Sequence, residues 1–268
     1  MKKIILITGA SSGFGHDVSN ALLEKGHTVY AVARGVDKMA DLAEKGAKLM
    51  QVDVTSDKDV RLCVERIVEK EGRIDVLFNN AGYGSFGTIE DVDMDNIFEQ
   101  FNVNVYGLVR MIKAVLPYMR KERSGLIINT SSVVGKLSMP CSGYYSATKH
   151  AVESLSDALR YEVRDFGIKV SVIEPGPVKT GFERVVFEKI ANPSEDYKSY
   201  MKSFVKAFKK LYVHAPTTSS TVKSVVHAVE SKNPKIRYRT TLGSKMLICI
   251  KYITTDRVFD RLMRRFVR

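Results

Sequence analysis

The sequence predicts a doubly wound α/β fold, a single domain over residues 1–268 in which a parallel sheet carries helices on both faces. Three observations lead there. Short, β-branched apolar runs recur at 4–7, 29–33, 74–78, 126–128 and 170–173, with the length and composition of strands buried on both sides. Longer stretches of helical period separate them, the alternation that sets successive strands side by side in parallel. With 268 residues and 44% hydrophobic content, the chain can fill one large core rather than two small ones.

The first run, Lys3-Ile4-Ile5-Leu6-Ile7, leads into Thr8-Gly9-Ala10-Ser11-Ser12-Gly13-Phe14-Gly15, and a helical pattern then runs from Phe14 through Val18, Ala21, Leu22 and Leu23 to a stop at Gly26. Strand, turn and helix thus follow in order. Glycines in such a turn let the chain reverse, let the backbone approach a phosphate and let the helix pack on the strand, with the helix N-terminus aimed at a pyrophosphate. The spacing here is G-x-x-x-G-x-G, not the commoner G-x-G-x-x-G. The second strand, Thr28-Val29-Tyr30-Ala31-Val32-Ala33, ends without the carboxylate that would hydrogen-bond a ribose 2′-hydroxyl, and Arg34 follows at once. A guanidinium there binds a 2′-phosphate bidentately.

Further along, Tyr145-Ser146-Ala147-Thr148-Lys149 is the one place where Lys follows Tyr at i+4. On a helix the two side chains share a face, one turn apart. An ammonium that close to a phenol, whose ordinary pKa is about 10, favours phenolate and makes the tyrosine an acid and base. A solvated Tyr/Lys pair would look the same in isolation. This one occurs with Val52-Asp53-Val54, Asn79-Asn80-Ala81-Gly82, Asn102-Val103-Asn104-Val105-Tyr106-Gly107, the Ser131-Ser132 pair and Pro175-Gly176-Pro177-Val178-Lys179-Thr180.

Together these segments resemble the motifs of the short-chain dehydrogenase/reductase superfamily, in order and spacing, over about the first 180 residues. The resemblance implies a Rossmann-type fold and a nicotinamide dinucleotide held by Gly9, Ser11, Ser12, Gly13, Phe14 and Gly15 at the phosphates. Asp53 and Val54 would lie beside the adenine, Asn80, Ala81 and Gly82 at the fourth strand's end, and Pro175, Gly176, Val178 and Thr180 on the nicotinamide side. It assigns catalysis to Asn104, Ser132, Tyr145 and Lys149, the last two also touching the cofactor. Tyr145 would exchange a proton with the substrate oxygen and Ser132 would donate a hydrogen bond to it. Lys149 would hold the nicotinamide ribose and lower the Tyr145 pKa, while Asn104 would interrupt its helix to order a water beside Lys149. As a structural serine capping a turn, Ser131 suits better than Ser132. In this family Arg34 goes with preference for NADP(H) over NAD(H).

The reaction expected is therefore interconversion of a ketone or aldehyde with an alcohol. Phe86, Met139, Phe182, Val185, Val186, Phe187, Phe204 and Phe208 fall in the variable pocket segments, the last six in a lid over residues 181–211. They favour a lipophilic substrate of steroid, retinoid or acyl type, though the same residues would also seal a lid onto the core. Other readings are a small polar ketone or sugar-type substrate, an NADP(H)-binding sensor or scaffold without turnover, and an epimerase or dehydratase. Retention of both Tyr145 and Lys149 speaks against a sensor, and the Ser132/Tyr145 spacing and single-domain length favour simple oxidoreduction. A homo-oligomer, dimer or tetramer, is expected.

Cys63, Cys141 and Cys249 are odd in number and far apart, which suggests neither a disulfide framework nor a zinc site, and Cys141 is read as packing. The five histidines form no metal-ligand pattern, so no metal is expected. Met1-Lys2-Lys3 followed by Ile4 to Ile7 is too short for a signal peptide and runs into the Gly-rich turn, so the chain reads as cytoplasmic. A net charge of +12 raises nucleic acid as a partner, but no recognition motif supports it. The basicity is local. Residues 201–268 hold sixteen Lys and Arg against Glu230, Asp256 and Asp260, a net of +13. Within the extension 241–268, Val258, Phe259, Leu262, Met263, Phe266 and Val267 form one helical stripe, arginines the other, with Thr255 placed to cap the start. Such a helix packs its stripe on the domain or a second subunit, or lies peripherally on an anionic membrane.

Overall fold

The computed structural model describes residues 1–266; Val267 and Arg268 of the C-terminal stripe lie outside the described residues, as does the side chain of Phe266. The chain runs β1 (Ile4–Thr8), α1 (Gly13–Glu24), β2 (Thr28–Ala33), α2 (Ala40–Glu44), β3 (Lys48–Gln51), α3 (Asp57–Glu71), β4 (Val76–Asn79), α4 (Met94–Phe101), α5 (Leu108–Lys121), β5 (Gly125–Thr130), α6 (Gly143–Glu162) and β6 (Ile168–Glu174). It continues through α7 (Phe182–Glu188), α8 (Lys198–Val213), α9 (Ser219–Glu230), β7 (Arg237–Arg239), α10 (Leu242–Ile253) and α11 (Asp256–Phe266). The strands form one parallel sheet in the order β3-β2-β1-β4-β5-β6-β7.

Both faces of the sheet are covered, as strands apolar on both sides require. On one face Val60, Val64 and Ile67 of α3, Met111 and Val115 of α5 and Val152 and Leu159 of α6 pack over Leu6, Leu77 and Ile127. On the other, Val18 and Leu22 of α1, Leu42 of α2 and Val225 and Val229 of α9 pack over Ile5, Ile7, Val29 and Ile128. A third apolar cluster lies apart from these two. It joins Phe86, Val134, Leu137 and Tyr145 to Val186 of α7, Phe204 and Phe208 of α8, Ile248 of α10 and Phe259 of α11, and it forms a roof over the sheet's carboxyl edge.

All five apolar runs are strands, and two more strands join them that hydropathy does not mark. β3, Lys-Leu-Met-Gln, is a half-buried edge paired only to β2. β7, Arg-Tyr-Arg, is held by charge. Arg237 Nη2 donates to Asp157 at 2.6 Å and Nε to Glu153 at 3.1 Å; Nε also lies 3.2 Å from Glu174. Arg239 reaches the other Glu174 oxygen at 3.1 Å, and Lys136 reaches Glu153 at 2.7 Å. Glu153 and Glu174 are buried, so these cations are what allow two carboxylates to leave water.

Thr255 directly precedes α11 and its carbonyl accepts from Val258 and Phe259 at 3.0 Å each. The apolar stripe of α11 divides: Phe259 is buried in the roof and Met263 packs against it, while Val258 and Leu262 face outward. No helix among the described residues is long and apolar enough to cross a membrane.

Removing one partner from a buried ion cluster costs about 3–5 kcal/mol, so Arg237→Leu should lower the urea-unfolding free energy by about 3 kcal/mol. Burial and the neighbouring Glu153 push the Glu174 carboxyl above its ordinary range. A group whose native pKa is raised takes its proton more readily in the fold, so the penalty should be smaller at about pH 5 than at about pH 8. An equal or larger loss at low pH would contradict this account of the cluster.

Candidate active site

In an open parallel sheet the groove for a ligand lies beyond the carboxyl ends of the strands, where connections leave in opposite directions. Here that point lies between β1 and β4, and two side chains lock the ends together. Thr8 Oγ1 accepts from the backbone N–H groups of Asn80 and Ala81 at 3.0 and 3.1 Å. Asn80 Nδ2 donates to the carbonyls of Thr8 and Gly9, both at 3.2 Å. Gly9 sits at φ +66°, and a Cβ there would stand 2.8 Å from Ala81 Cα. Only glycine permits this turn this close to β4.

Gly15 takes the helix-packing role expected of a glycine in this turn. A Cβ on it would fall 2.4 Å from the Gly9 carbonyl oxygen, so it seats α1 against the turn from behind, and it is not among the residues lining the cavity.

The helix that carries Asn104 loses α geometry where the sequence expected an interruption, becoming π-helical over Asn102–Gly107 between α4 and α5. The Asn104 amide clamps Tyr83, accepting from its N–H at 3.0 Å and donating to its carbonyl at 2.9 Å, and also donates to Thr148 Oγ1 of α6 at 3.2 Å. Asn104 is buried and does not reach the cavity wall. One turn beyond Thr148's neighbour Tyr145, the Lys149 ammonium donates to the Thr130 carbonyl at the end of β5 at 2.8 Å and lies 5.7 Å from the Tyr145 ring centre. The Tyr145 phenol and Ser132 both line the cavity, and the Tyr145 ring packs between Phe86 and Phe182 at 5.6 and 5.5 Å.

Two expectations are corrected. Burial pushes the Tyr145 phenol well above its ordinary pKa, with the Ser132 hydrogen bond opposing it, so the net shift is upward where proximity to Lys149 suggested downward. Desolvation lowers Lys149 to about 8, with Glu153 working against it. And the serine that caps the turn after β5 is Ser132, whose Oγ accepts from Val134 N–H at 3.3 Å, whereas the Ser131 hydroxyl is buried without a partner. Ser132 thus combines both proposed roles, because the cap fixes its side chain at the turn facing Tyr145.

One cavity of about 1240 Å³ joins these residues. Gly9, Ser11, Ser12, Gly13, Phe14, Arg34, Asp53, Val54, Asn80, Ala81, Gly82, Pro175, Gly176, Val178 and Thr180 line one arm, and Ser132, Tyr145 and Lys149 stand at the junction. The volume exceeds that of ordinary small-molecule pockets, roughly 300–1,000 Å³, and the first arm ends on positive-φ glycine backbone, so these residues fit a dinucleotide. Phe86, Met139, Phe182, Val185, Phe204 and Phe208 line the other arm as expected; Val186 and Phe187 do not, being turned into the roof. Cys141 is a packing residue: it is buried, its thiol is pushed up to about 12 by burial, and it does not line the cavity.

Sequence reasoning missed two contributions. Lys38, one turn past Arg34, lines the same end of the cavity; a second cation four residues after Arg34 was the available signal. Met246, Leu247 and Ile250 of α10 and Leu262 and Met263 of α11 complete the apolar arm, which no local pattern in a basic C-terminal segment announced.

With this geometry in hand, comparison with known proteins gives the class. Residues 3–191 match the family model described as short chain dehydrogenase, and the chain belongs to that family of oxidoreductases. It is 46% identical over 203 residues to a 3-ketodihydrosphingosine reductase of Bacteroides thetaiotaomicron, covering 75% of this chain and 74% of the relative. Retinol dehydrogenase 8 of Bos taurus is 32% identical, covering 93% and 85%. A short-chain dehydrogenase from Streptomyces avermitilis superposes with a TM-score of 0.84 at 29% identity, covering 98% and 95%. Solved relatives carry either cofactor: one from Burkholderia phymatum is in complex with NAD (TM-score 0.81, 26% identity, covering 94% and 93%), and ElxO has NADP bound (TM-score 0.76, 28% identity, covering 92% and 100%).

Because the native Lys149 pKa lies below its unfolded value, the unfolded chain binds more protons between about pH 8 and 10.5, and stability rises with pH across that window. Relative to Lys149→Met, the wild type should gain about 2 kcal/mol in unfolding free energy between about pH 7.5 and 9.5, measured by denaturant titration. A flat difference between the two proteins would mean that the ammonium is not desolvated.

Proposed function

We propose that this enzyme interconverts a lipophilic ketone and its alcohol with NADP(H), using Tyr145 as general acid and base. The observation that carries the reading is that Tyr145, Ser132 and Lys149 line the same cavity as the Gly-rich turn on one side and an apolar lining on the other. When bound, the nicotinamide supplies or accepts the hydride, and the rest falls to the protein. In reduction, negative charge grows on the carbonyl oxygen; Tyr145 Oη delivers a proton to it and Ser132 Oγ donates a hydrogen bond to it. Lys149 would hold the nicotinamide ribose hydroxyls, one helical turn from the Tyr145 phenol. Asn104 acts at one remove, fixing Tyr83 and Thr148 around the catalytic helix.

Preference for NADP(H) rests on Arg34 and Lys38, two cations lining the cavity just after β2, a strand that itself ends without a carboxylate. The lipophilic substrate is supported by the aromatic and aliphatic lining from α7, α8, α10 and α11, which act as a lid, and by the names of the two relatives above, which denote a sphingoid ketone and retinol. A small polar ketone or sugar would leave that lining unmatched. The exposed Met94, Phe98, Tyr106 and Tyr161 of the α4–α6 region support a homo-oligomer, and three free cysteines suit a cytoplasmic site.

Tyr145→Phe should lower kcat by at least ~100-fold, the usual scale of general acid catalysis, with NADPH affinity by fluorescence titration unchanged; near-normal turnover would remove Tyr145 as proton donor. Arg34→Asp should cut kcat/KM for NADPH by about 10–100-fold, the worth of a charge-assisted pair, and raise the relative rate with NADH. An unaltered cofactor ratio would exclude Arg34. Following NADPH absorbance across long-chain, cyclic and small polar ketones tests the substrate class.

A further inference from the structure

The roof leaves part of the C-terminal region uncovered, and that part has a definite composition. Along α10, Leu242, Met246, Cys249 and Ile253 recur at i, i+4, i+7 and i+11, one stripe of the helix, and all four are exposed, whereas Ser244 and Ile248 face the domain. On α11, Val258 and Leu262 form the matching outward pair. With Tyr252, the large apolar residues of this set are between 38% and 82% exposed. Lys251 ties the two helices together, pairing with Asp256 at 2.7 Å and standing 5.0 Å over the Phe259 ring. Beside the apolar stripes run Lys245, Arg257, Arg261 and Arg264, and across the cavity α8 exposes Lys202, Lys206, Lys209 and Lys210.

Two of the exposed apolar residues, Met246 and Leu262, also line the cavity, as do the exposed Arg184 and Arg265. The apolar surface therefore runs to the rim of the substrate arm, with cations around it. A surface that is apolar at its centre and cationic at its margin matches the boundary of a bilayer, where acyl chains lie beneath anionic headgroups. A second copy fits less well. A two-fold interface sets each patch against its own image, which would bring the arginine row of α11 toward an identical row.

We propose that the face formed by α10 and α11 docks on an anionic lipid surface, the α10 stripe entering the headgroup region and the arginines of α11 resting on phosphates, with the rim of the substrate arm held at the membrane. The helix that inserts is α10. The arginine-rich α11, whose stripe is half used in the roof, supplies the charge.

The chain contains no tryptophan, so Tyr252→Trp on the exposed face of α10 gives a single reporter in the full-length protein. Mixed with phosphatidylglycerol vesicles at about 50 mM salt, its emission should shift to the blue and the protein should co-sediment; at about 500 mM salt binding should fall at least tenfold. Pure phosphatidylcholine vesicles should give neither response. The triple variant Arg257→Glu/Arg261→Glu/Arg264→Glu, and separately Leu242→Asp/Ile253→Asp, should each lose binding at least tenfold while melting with the cooperativity of the parent. No cofactor or substrate is present, so the result is independent of the functional reading. Absence of binding to anionic vesicles at low salt, binding equal on neutral vesicles, or a blue shift that follows protein concentration without lipid, which would mark self-association, each overturns the proposal.

Discussion

A buried cation at position 149 organises much of what surrounds it. Lys149 is buried against the end of β5, and among the described residues its ammonium has one hydrogen-bond acceptor, the Thr130 carbonyl. The nearest compensating charge is Glu153, one turn further along α6. Glu153 is itself buried and needs partners, which it finds in Lys136 and Arg237; Arg237 in turn draws in Asp157 and Glu174, and Glu174 takes Arg239. The ion cluster behind the site thus passes from a reactive amine to the edge strand of the sheet. Each member is tolerable in low dielectric only because the next one is present. The strand β7, with hardly any apolar content of its own, belongs to the sheet through this chain of charge.

The same fact explains which parts of the molecule a sequence reveals. The five central strands announce themselves because their residues are buried on both faces and must be apolar, whatever their partners. β7 does not, since Arg237 and Arg239 are matched by carboxylates some 65 to 84 residues away, and no window along the chain contains both halves of the pairing. β3 is hidden for a simpler reason, being a half-exposed edge. In the site, Tyr145 and Lys149 were legible because one helical turn fixes their relation, and Arg34 because the strand end fixes where it points. Lys38 reaches the same end only because the chain turns back after Gly35, and Met246 and Ile250 enter the pocket only because α10 folds over it. The direction of the Tyr145 shift was misjudged since proximity is visible in a sequence and desolvation is not.

The third apolar cluster separates two jobs that the fold performs. The two clusters against the sheet set the positions of the strand ends, and so of Thr8, Asn80, Ser132 and Lys149. The roof cluster, drawn from Phe86 and from helices late in the chain, shapes the apolar arm and packs the Tyr145 ring at its inner end. Substitutions in α8, α10 or α11 reshape the apolar arm most directly, whereas Phe86 and Phe182 also pack the Tyr145 ring, so changes there reach the polar junction.

The pairing of β1 with β4 has a consequence for the life of the molecule before it is finished. Ile5 and Val76 meet across about seventy residues of intervening chain, and closing so long a loop carries an entropic cost that local contacts cannot offset. The cradle needs that closure, since Thr8 and Asn80 stand at its two ends, and it draws further on the ends of β2, β5 and β6. A dinucleotide spanning the cradle would need all of these ends in place. Any such ligand therefore selects the completed fold from the whole ensemble: at a hundred times its dissociation constant it would add about 2.7 kcal/mol to global stability, a large share of the 5–15 kcal/mol by which domains of this kind usually stay folded. The abundance of the cofactor, and not only the sequence, then helps to decide how much of the chain in a cell is native.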